Sequence, residues 1–427
     1  MIKLFHNLIL VLCFWMLISQ VHAQSKLLTI DECYGLARKN YPMIRQRELI
    51  IRTKDFSVGN AAKGYLPQLN ILGQATYQSA VTEFTLPVAV PGVEFPSISK
   101  DQYKVYGEVT QTIYDGGAVR TQVKSYEANA LVEEQKLEVE LYKLNERVNQ
   151  IFFGILMLDE QIRQNELLKK DIQLGINKVK ALIANGTAFK SNGYTLRAEQ
   201  LKADQRSTEL HANRKAYVDM LGMLVNQTMD DVQLVKPQPF TLSTQINRPE
   251  LRMYDSQSRS LDIQDQLLNV KNRPKFNFFF QGGVGRPALN ILNNSFDPYY
   301  ITGVRLNWSL SGLYTRKNDR LLIGNNRQAI QLQKEKFLYN TNLTLKQQNA
   351  DLAKLEQLLG SDDEIIALRE SIKTTSAAQL ENGVINTNDY LREVNAEDQA
   401  RLNKILHEIQ LLMSRYNLQT TLGRELE

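Results

Sequence analysis

The sequence predicts a mainly helical chain that carries a transmembrane β portion. Three observations lead there. Two tracts hold a 3.5-residue apolar repeat, four segments alternate polar and apolar residues, and a duplication gives each half two of those segments. Breakers are sparse, with 11 prolines and 22 glycines in 427 residues, which favours long uninterrupted elements. Charge is mixed, 51 basic against 46 acidic residues for a net +5, and reads as solvated helix faces. No Lys/Arg stripe interleaved with aromatics appears, so a nucleic-acid partner is not expected.

The N-terminus reads as an export signal over residues 1–23. Lys3 gives the positive start, Leu8 to Ile18 the apolar run, and Val21-His22-Ala23 the small-residue pattern before a cut, leaving Gln24 as the expected mature terminus. The run is too short to span a bilayer as a helix, which takes roughly 20 residues. After cleavage Cys33 is the single cysteine, so no intrachain disulfide and no thiolate metal site is expected. His211 and His407 lie in polar helical stretches and read as solvated surface residues. No histidine-centred constellation or metal-ligand spacing remains, so the sequence gives no support for an enzyme, a metal or a cofactor.

The duplication is marked by prolines. Asn40-Tyr41-Pro42 corresponds to Asn247-Arg248-Pro249, and Pro67 to Pro274, at a constant offset of 207. Gly107, Gln111 and Gly116 correspond to Gly303, Asn307 and Gly312 at an offset of 196. The expected halves are 24–232, with a β-hairpin at about 66–114, and 233–427, with a β-hairpin at about 273–311.

The hairpin strands show period two. Leu69, Ile71, Ala75 and Tyr77 alternate with Gln68, Asn70, Gln74 and Thr76; Tyr103, Val105, Val109 and Ile113 alternate with Lys104, Glu108, Thr110 and Thr112. In the second half Phe276, Phe278 and Phe280 alternate with Lys275, Asn277 and Gln281, with Phe279 breaking the pattern. The last strand sets Thr302, Val304, Leu306, Trp308 and Leu310 against Arg305, Asn307 and Ser309. All four reach the roughly 9–11 residues of a tilted membrane strand. Residues 81–99 and 286–298 read as exposed loops. Small membrane barrels begin at about eight strands, so four require other subunits.

The long helices follow. Leu137, Leu141, Leu144, Val148, Ile151, Ile155, Leu158 and Ile162 recur at alternating spacings of four and three, in one proline-free tract from about 118 to 185. Leu402, Ile405, Ile409, Leu412 and Tyr416 repeat the pattern near the C-terminus. Each half has one break, Asn185-Gly186-Thr187 and Asn382-Gly383-Val384, read as a helical hairpin tip. A left-handed glycine would end one helix, and the Ser or Thr with Asn that follows would cap the next.

Together the signal, the duplicated halves, two strands per half, long helices and Asn-Gly tips resemble the TolC family of outer-membrane efflux proteins. Local marks are Leu27-Leu28-Thr29-Ile30-Asp31-Glu32-Cys33, Asn40-Tyr41-Pro42, Gly64-Tyr65-Leu66-Pro67 and Gln111-Thr112-Ile113-Tyr114-Asp115-Gly116-Gly117. The resemblance implies a homotrimer in outer-membrane lipid, twelve strands pooled into one β-barrel, and a helical α-barrel continuing it. It also implies a periplasmic adaptor protein and an inner-membrane pump as partners, in an efflux or type I secretion system. The tips Gly186, Thr187, Gly383 and Val384 would dock the adaptor. Asp389 matches the first acidic position of the family's periplasmic constriction, while Arg392 stands where some members have a second aspartate. Asp389 either faces the pore in that constriction or sits at the surface as a capping carboxylate. The competing reading of the whole chain is a coiled-coil structural or adhesive cell-envelope protein whose alternating runs form a soluble sheet.

Overall fold

The computed structural model describes residues 26–82, 98–229, 232–238, 240 and 245–424; the signal segment and most of the first hairpin loop lie outside these. The described chain forms two compact units. One takes the chain up to Ile44, Glu138–Pro249 and the chain from Phe337; the other takes Arg45–Leu137 and Glu250–Lys336.

The first unit opens with strand β1 (Lys26–Leu28), paired in parallel with β4 (Val232–Leu234). Helix α1 (Ile30–Asn40) follows, and its start is set by a capping box. Thr29 Oγ1 accepts from the Glu32 amide at 3.3 Å, while the Glu32 carboxylate accepts from the Thr29 amide at 2.8 Å. Cys33, Tyr34 and Ala37 of α1 enter an apolar core with Val148, Phe152, Phe153 and Ile155 of α4 (Leu144–Ala184), Leu221 and Val225 of α5 (Lys190–Val225), and Ile409 and Tyr416 of α8 (Thr387–Leu422). Cys33 is fully buried and its thiol is pushed up to about 12, chiefly by burial. That is a packing cysteine, inert as a nucleophile.

The 3.5-residue stripe supplies core from Leu137 to Ile155, and its continuation at Leu158 and Ile162 is half-buried. Leu141, Leu144, Val148, Ile151 and Ile155 are buried, and Asn165 at a seam position donates to the Ala203 carbonyl at 3.0 Å. The tract is divided in one place, however. Helix α3 (Ala118–Tyr142) and α4 are separated by Lys143, whose backbone keeps helical angles of −61° and −21°. No proline or glycine marks that step, so periodicity does not see it.

Both returning helices end in the same way. α5 ends at Val225 with Asn226 left-handed (φ 53°), and α8 ends at Leu422 with Gly423 left-handed (φ 98°). The Asn40 side chain donates to the Val225 carbonyl at 2.8 Å, and the Asn247 amide donates to the Leu422 carbonyl at 2.6 Å. The two Asn-x-Pro marks thus close off the last carbonyls of their helices, and Pro249 then starts α6 (Pro249–Lys271), where a missing N–H costs nothing.

In the second unit, Pro42–Arg45 leads into α2 (Gln46–Ala62). Strands β2 (Gln68–Tyr77), β3 (Asp101–Tyr114), β5 (Lys275–Arg286) and β6 (Asp297–Asn307) form one antiparallel sheet in the order β2-β3-β5-β6. Pro67 and Pro274 immediately precede β2 and β5. Asp115 caps α3, its carboxylate accepting from the Gly117 and Val119 amides at 2.7 Å each. Gly116 (φ 71°) turns the chain there against Arg273, which donates to the Gly116 carbonyl at 3.0 Å. β6 ends at Asn307, short of the expected Leu310, and the Trp308 indole donates to the Asn272 carbonyl at 3.0 Å. Helix α7 (Gly312–Glu381), 70 residues long, starts in this unit and passes into the first at Phe337.

Left-handed glycines give a graded test. A Cβ on Gly186 meets open space, whereas one on Gly423 overlaps the Asn247 carbonyl. Gly186→Ala should cost about 1–2 kcal/mol from backbone strain alone. Gly423→Ala should cost more, because the Asn247 turn must also move. Thermal unfolding followed by circular dichroism in detergent reads both, and equal shifts would contradict the assignment.

Candidate functional site

Two places carry chemistry and exposure beyond simple packing: the helical tips and the two faces of the sheet.

At the first tip α4 runs out at Ala184 and Gly186 adopts φ 70°; at the second α7 runs out at Glu381 and Gly383 adopts φ 68°. The hydrogen bonds match. The Thr187 amide donates to the Leu182 carbonyl and the Val384 amide to the Gln379 carbonyl, each at 2.9 Å, closing identical Schellman turns. The restarts differ. Asn386 caps α8, its Oδ1 accepting from the Asn388 and Asp389 amides at 2.9 and 3.1 Å. α5 instead starts from Phe189, which makes no side-chain cap, so the expected Ser/Asn cap is absent at the first tip. Phe189 is 81% exposed, with Tyr194 and Val384 also well exposed. The aromatic pair at the first tip was not singled out by sequence; its signal was Phe189 standing three residues after an Asn-Gly turn.

The tips lie side by side. Ile183, three residues before Gly186, and Ile385, two after Gly383, pack on one apolar cluster formed by Ile172, Val179, Leu196, Leu380, Tyr390 and Val394. Gly175 of α4 is where the Tyr390 ring seats, since a Cβ there would come within 2.9 Å of the ring. Lys178 and Glu381 pair across the helices at 3.0 Å. Asp389 stands half-exposed in the first turn of α8, with Arg392 at 3.8 Å; the capping of that turn is done by Asn386.

Behind the tips runs a chain of ion pairs through buried ground. Lys373 bridges Asp171 at 2.9 Å and Glu397 at 2.6 Å, and Arg401 joins Glu397 at 2.6 Å to Glu370 at 3.0 Å. Burial opposes ionisation of Glu397, but Lys373 and Arg401 outweigh it and hold its carboxyl below the usual carboxylate range. Next to it, burial pushes the Asp398 carboxyl up, and Gln164 and Arg206 only partly offset this. His407 is also not a solvated surface residue: its Nδ1 lies 2.8 Å from the buried Asp362 carboxylate, because the polar face of α8 meets α7 there. His211 is exposed.

The sheet has two unlike faces. On one, Leu69, Ile71, Val105, Val109, Phe278, Phe280, Val304 and Leu306 face outward in register. Leu69 and Ile71 are 76% and 88% exposed. Polar side chains hold the other face, among them Gln74, Lys104, Glu108, Gln281 and Arg305. Phe279, which broke the sequence pattern, lies on this polar face beneath Arg305, with the guanidinium carbon 4.5 Å from the ring centre. Edge strands β2 and β6 each have one neighbour. Among the described residues no helix is long and apolar enough to cross a membrane.

A sheet with one apolar face and pairs of long antiparallel helices make up this fold. Solved structures agree. VceC of Vibrio cholerae, an outer membrane protein, superposes with a TM-score of 0.66 at 12% identity, covering 93% of this chain and 97% of that one. The CmeC outer membrane channel of Campylobacter jejuni gives 0.64 at 13%, over 92% and 85%. The MtrE outer membrane channel of Neisseria gonorrhoeae gives 0.64 at 14%, over 93% and 89%. The outer membrane efflux protein family model matches residues 33–221, so this stretch of the chain is similar to that family. No curated protein sequence matches the chain.

The ion-pair chain gives a pH prediction. The depressed Glu397 contributes stability that is full above the ordinary carboxylate range and is lost as pH falls through its own lower pKa. Glu397→Gln should therefore cost about 1.5–3 kcal/mol near pH 7. The gap from wild type should close in acid, as read by unfolding midpoints across pH; a gap independent of pH would exclude the charge.

Proposed function

We propose that the chain is one of three identical subunits of a passive outer-membrane conduit, serving an efflux or type I secretion system. The observation that carries this is the four-stranded sheet, which exposes an apolar face and has one neighbour for each edge strand. In lipid every backbone group needs a partner, so those edges call for other strands. Three copies supply twelve, within the range of membrane barrels. The helices of three copies would extend it as an α-barrel into the periplasm. On this reading residues 24–232 and 233–427 are duplicated halves behind a cleaved signal at 1–23.

The paired tips are the proposed docking ground for a periplasmic adaptor protein, centred on Gly186, Thr187, Gly383 and Val384. Matching Schellman turns and exposed Phe189 and Val384 support it, because exposed apolar side chains at a defined turn suit a partner surface. An inner-membrane pump would supply the energy. Asp389 is proposed to narrow the pore, supported by its half-exposed carboxylate beside the second tip. The coiled-coil adhesive alternative accounts for the helices and leaves the exposed apolar sheet face without a purpose.

In the outer-membrane fraction the mature protein should run as a heat-modifiable trimer; a soluble monomer would overturn the proposal. Phe278→Arg on the outward face should abolish the heat-resistant band, at about 2–4 kcal/mol for a midplane charge. Gln74→Arg on the polar face should leave the band intact. For the constriction, Asp389→Ala should raise single-channel conductance and shift the anion-to-cation permeability ratio toward anions, and no change in either would remove the gate role.

A further inference from the structure

We infer that the polar face of the sheet holds an anion-favouring selectivity site whose determinant is Arg305, steered by Phe279 and Glu108. This rests on the conduit reading above, in which that face lines the barrel interior.

The geometry is a cross-strand relay. Glu108 of β3 stands opposite Gln281 of β5, and Phe279 of β5 lies between Thr110 of β3 and Gly303 of β6 in the paired register. With no side chain at Gly303, the Phe279 ring lies flat against β6, its edge atoms 3.2–3.3 Å from where a Cβ would stand. Arg305 of β6 then reaches back across β5 over that ring, guanidinium carbon to ring centre 4.5 Å, and donates to Glu108 Oε2 at 3.3 Å. Gln281 donates to the same oxygen and Thr110 to Oε1 at 3.2 Å. The Phe279 ring is thus the platform that fixes a cation on this face.

What the cluster presents is decided by exposure. The Glu108 side chain is 13% exposed and its carboxylate is saturated by three donors, whereas the Arg305 side chain is 47% exposed. The carboxylate holds, and the guanidinium faces the lumen. Lys104 and Lys275 share this face, against Glu108 and Asp297 as its acids. Fixed Arg or Lys groups lining a pore favour anions, and lumen substitutions tune barrel selectivity. Solutes bearing carboxylate or phosphate would be drawn to this level, because the planar guanidinium pairs with both.

The test is the anion-to-cation permeability ratio from reversal potentials of purified trimer in planar bilayers under a KCl gradient. Arg305→Gln should lower the ratio at least twofold, and Arg305→Lys should largely retain it. Glu108→Gln should raise it, since it removes the carboxylate and frees the guanidinium. Ratios unchanged in both Arg305→Gln and Glu108→Gln, with heat-modifiable trimers and normal conductance, would overturn the inference while leaving the conduit intact. A wild-type protein that gives no channels would overturn the conduit reading, and this inference with it.

Discussion

Four strands that cannot satisfy their own edges impose the main constraint on this protein. Each hairpin pairs its strands internally and the two hairpins pair with each other through β3 and β5, yet β2 and β6 keep one free side. An apolar row from Leu69 to Leu306 rides on the outside of the same sheet. Neither feature is stable in water for long, and the proposed closure in lipid with strands from other copies would answer both. The turns that feed the sheet are accordingly tight. Asp115, Gly116 and Arg273 lock the start of α3, and Pro67 and Pro274 sit at the last position where an absent N–H does no harm.

The helical unit answers a different demand. Its hairpins must hold two tips together at the end of long helices with little apolar area per turn. A small cluster around Tyr390 and Gly175 does this, backed by the Lys373–Glu397–Arg401 chain. Such buried pairs add less net stability than apolar packing would, but they penalise slippage of α7 against α8, because a one-turn shift strands a buried carboxylate. The opposed shifts of Glu397 and Asp398 show how local that balance is. Two adjacent acids differ because one has two cations within 2.6 Å and the other has one at 3.3 Å.

Much of this was legible in the sequence where a period or a breaker encodes it. Alternation gave the strands, the 3.5 repeat gave the buried seam from Leu141 to Ile155, and Asn-Gly gave both turns. What escaped depends on partners far along the chain. His407 reads as a polar helix residue until Asp362 is brought against it, and Glu397 and Asp398 look like surface acids in a charged stretch. Phe279 looked like an irregularity because period two has no means of foretelling the cation that covers it. Phe189 as an N-cap defies the usual preference for Ser, Thr, Asp or Asn. The step at Lys143 leaves no mark at all.

The carbonyl ties at Val225 and Leu422 have an architectural consequence. Each returning helix is pinned at its base by the Asn-x-Pro turn of its own half, while at its far end a Schellman turn closes the outgoing helix that leads into it. Base and tip therefore do not depend on the number of residues between them. Inserting one seven-residue period into both arms of a hairpin would keep every seam position facing inward. It would also lengthen the arm by about 10 Å at 1.5 Å per residue. The span these hairpins bridge is thus a modular length, adjustable in heptads without redesigning either end.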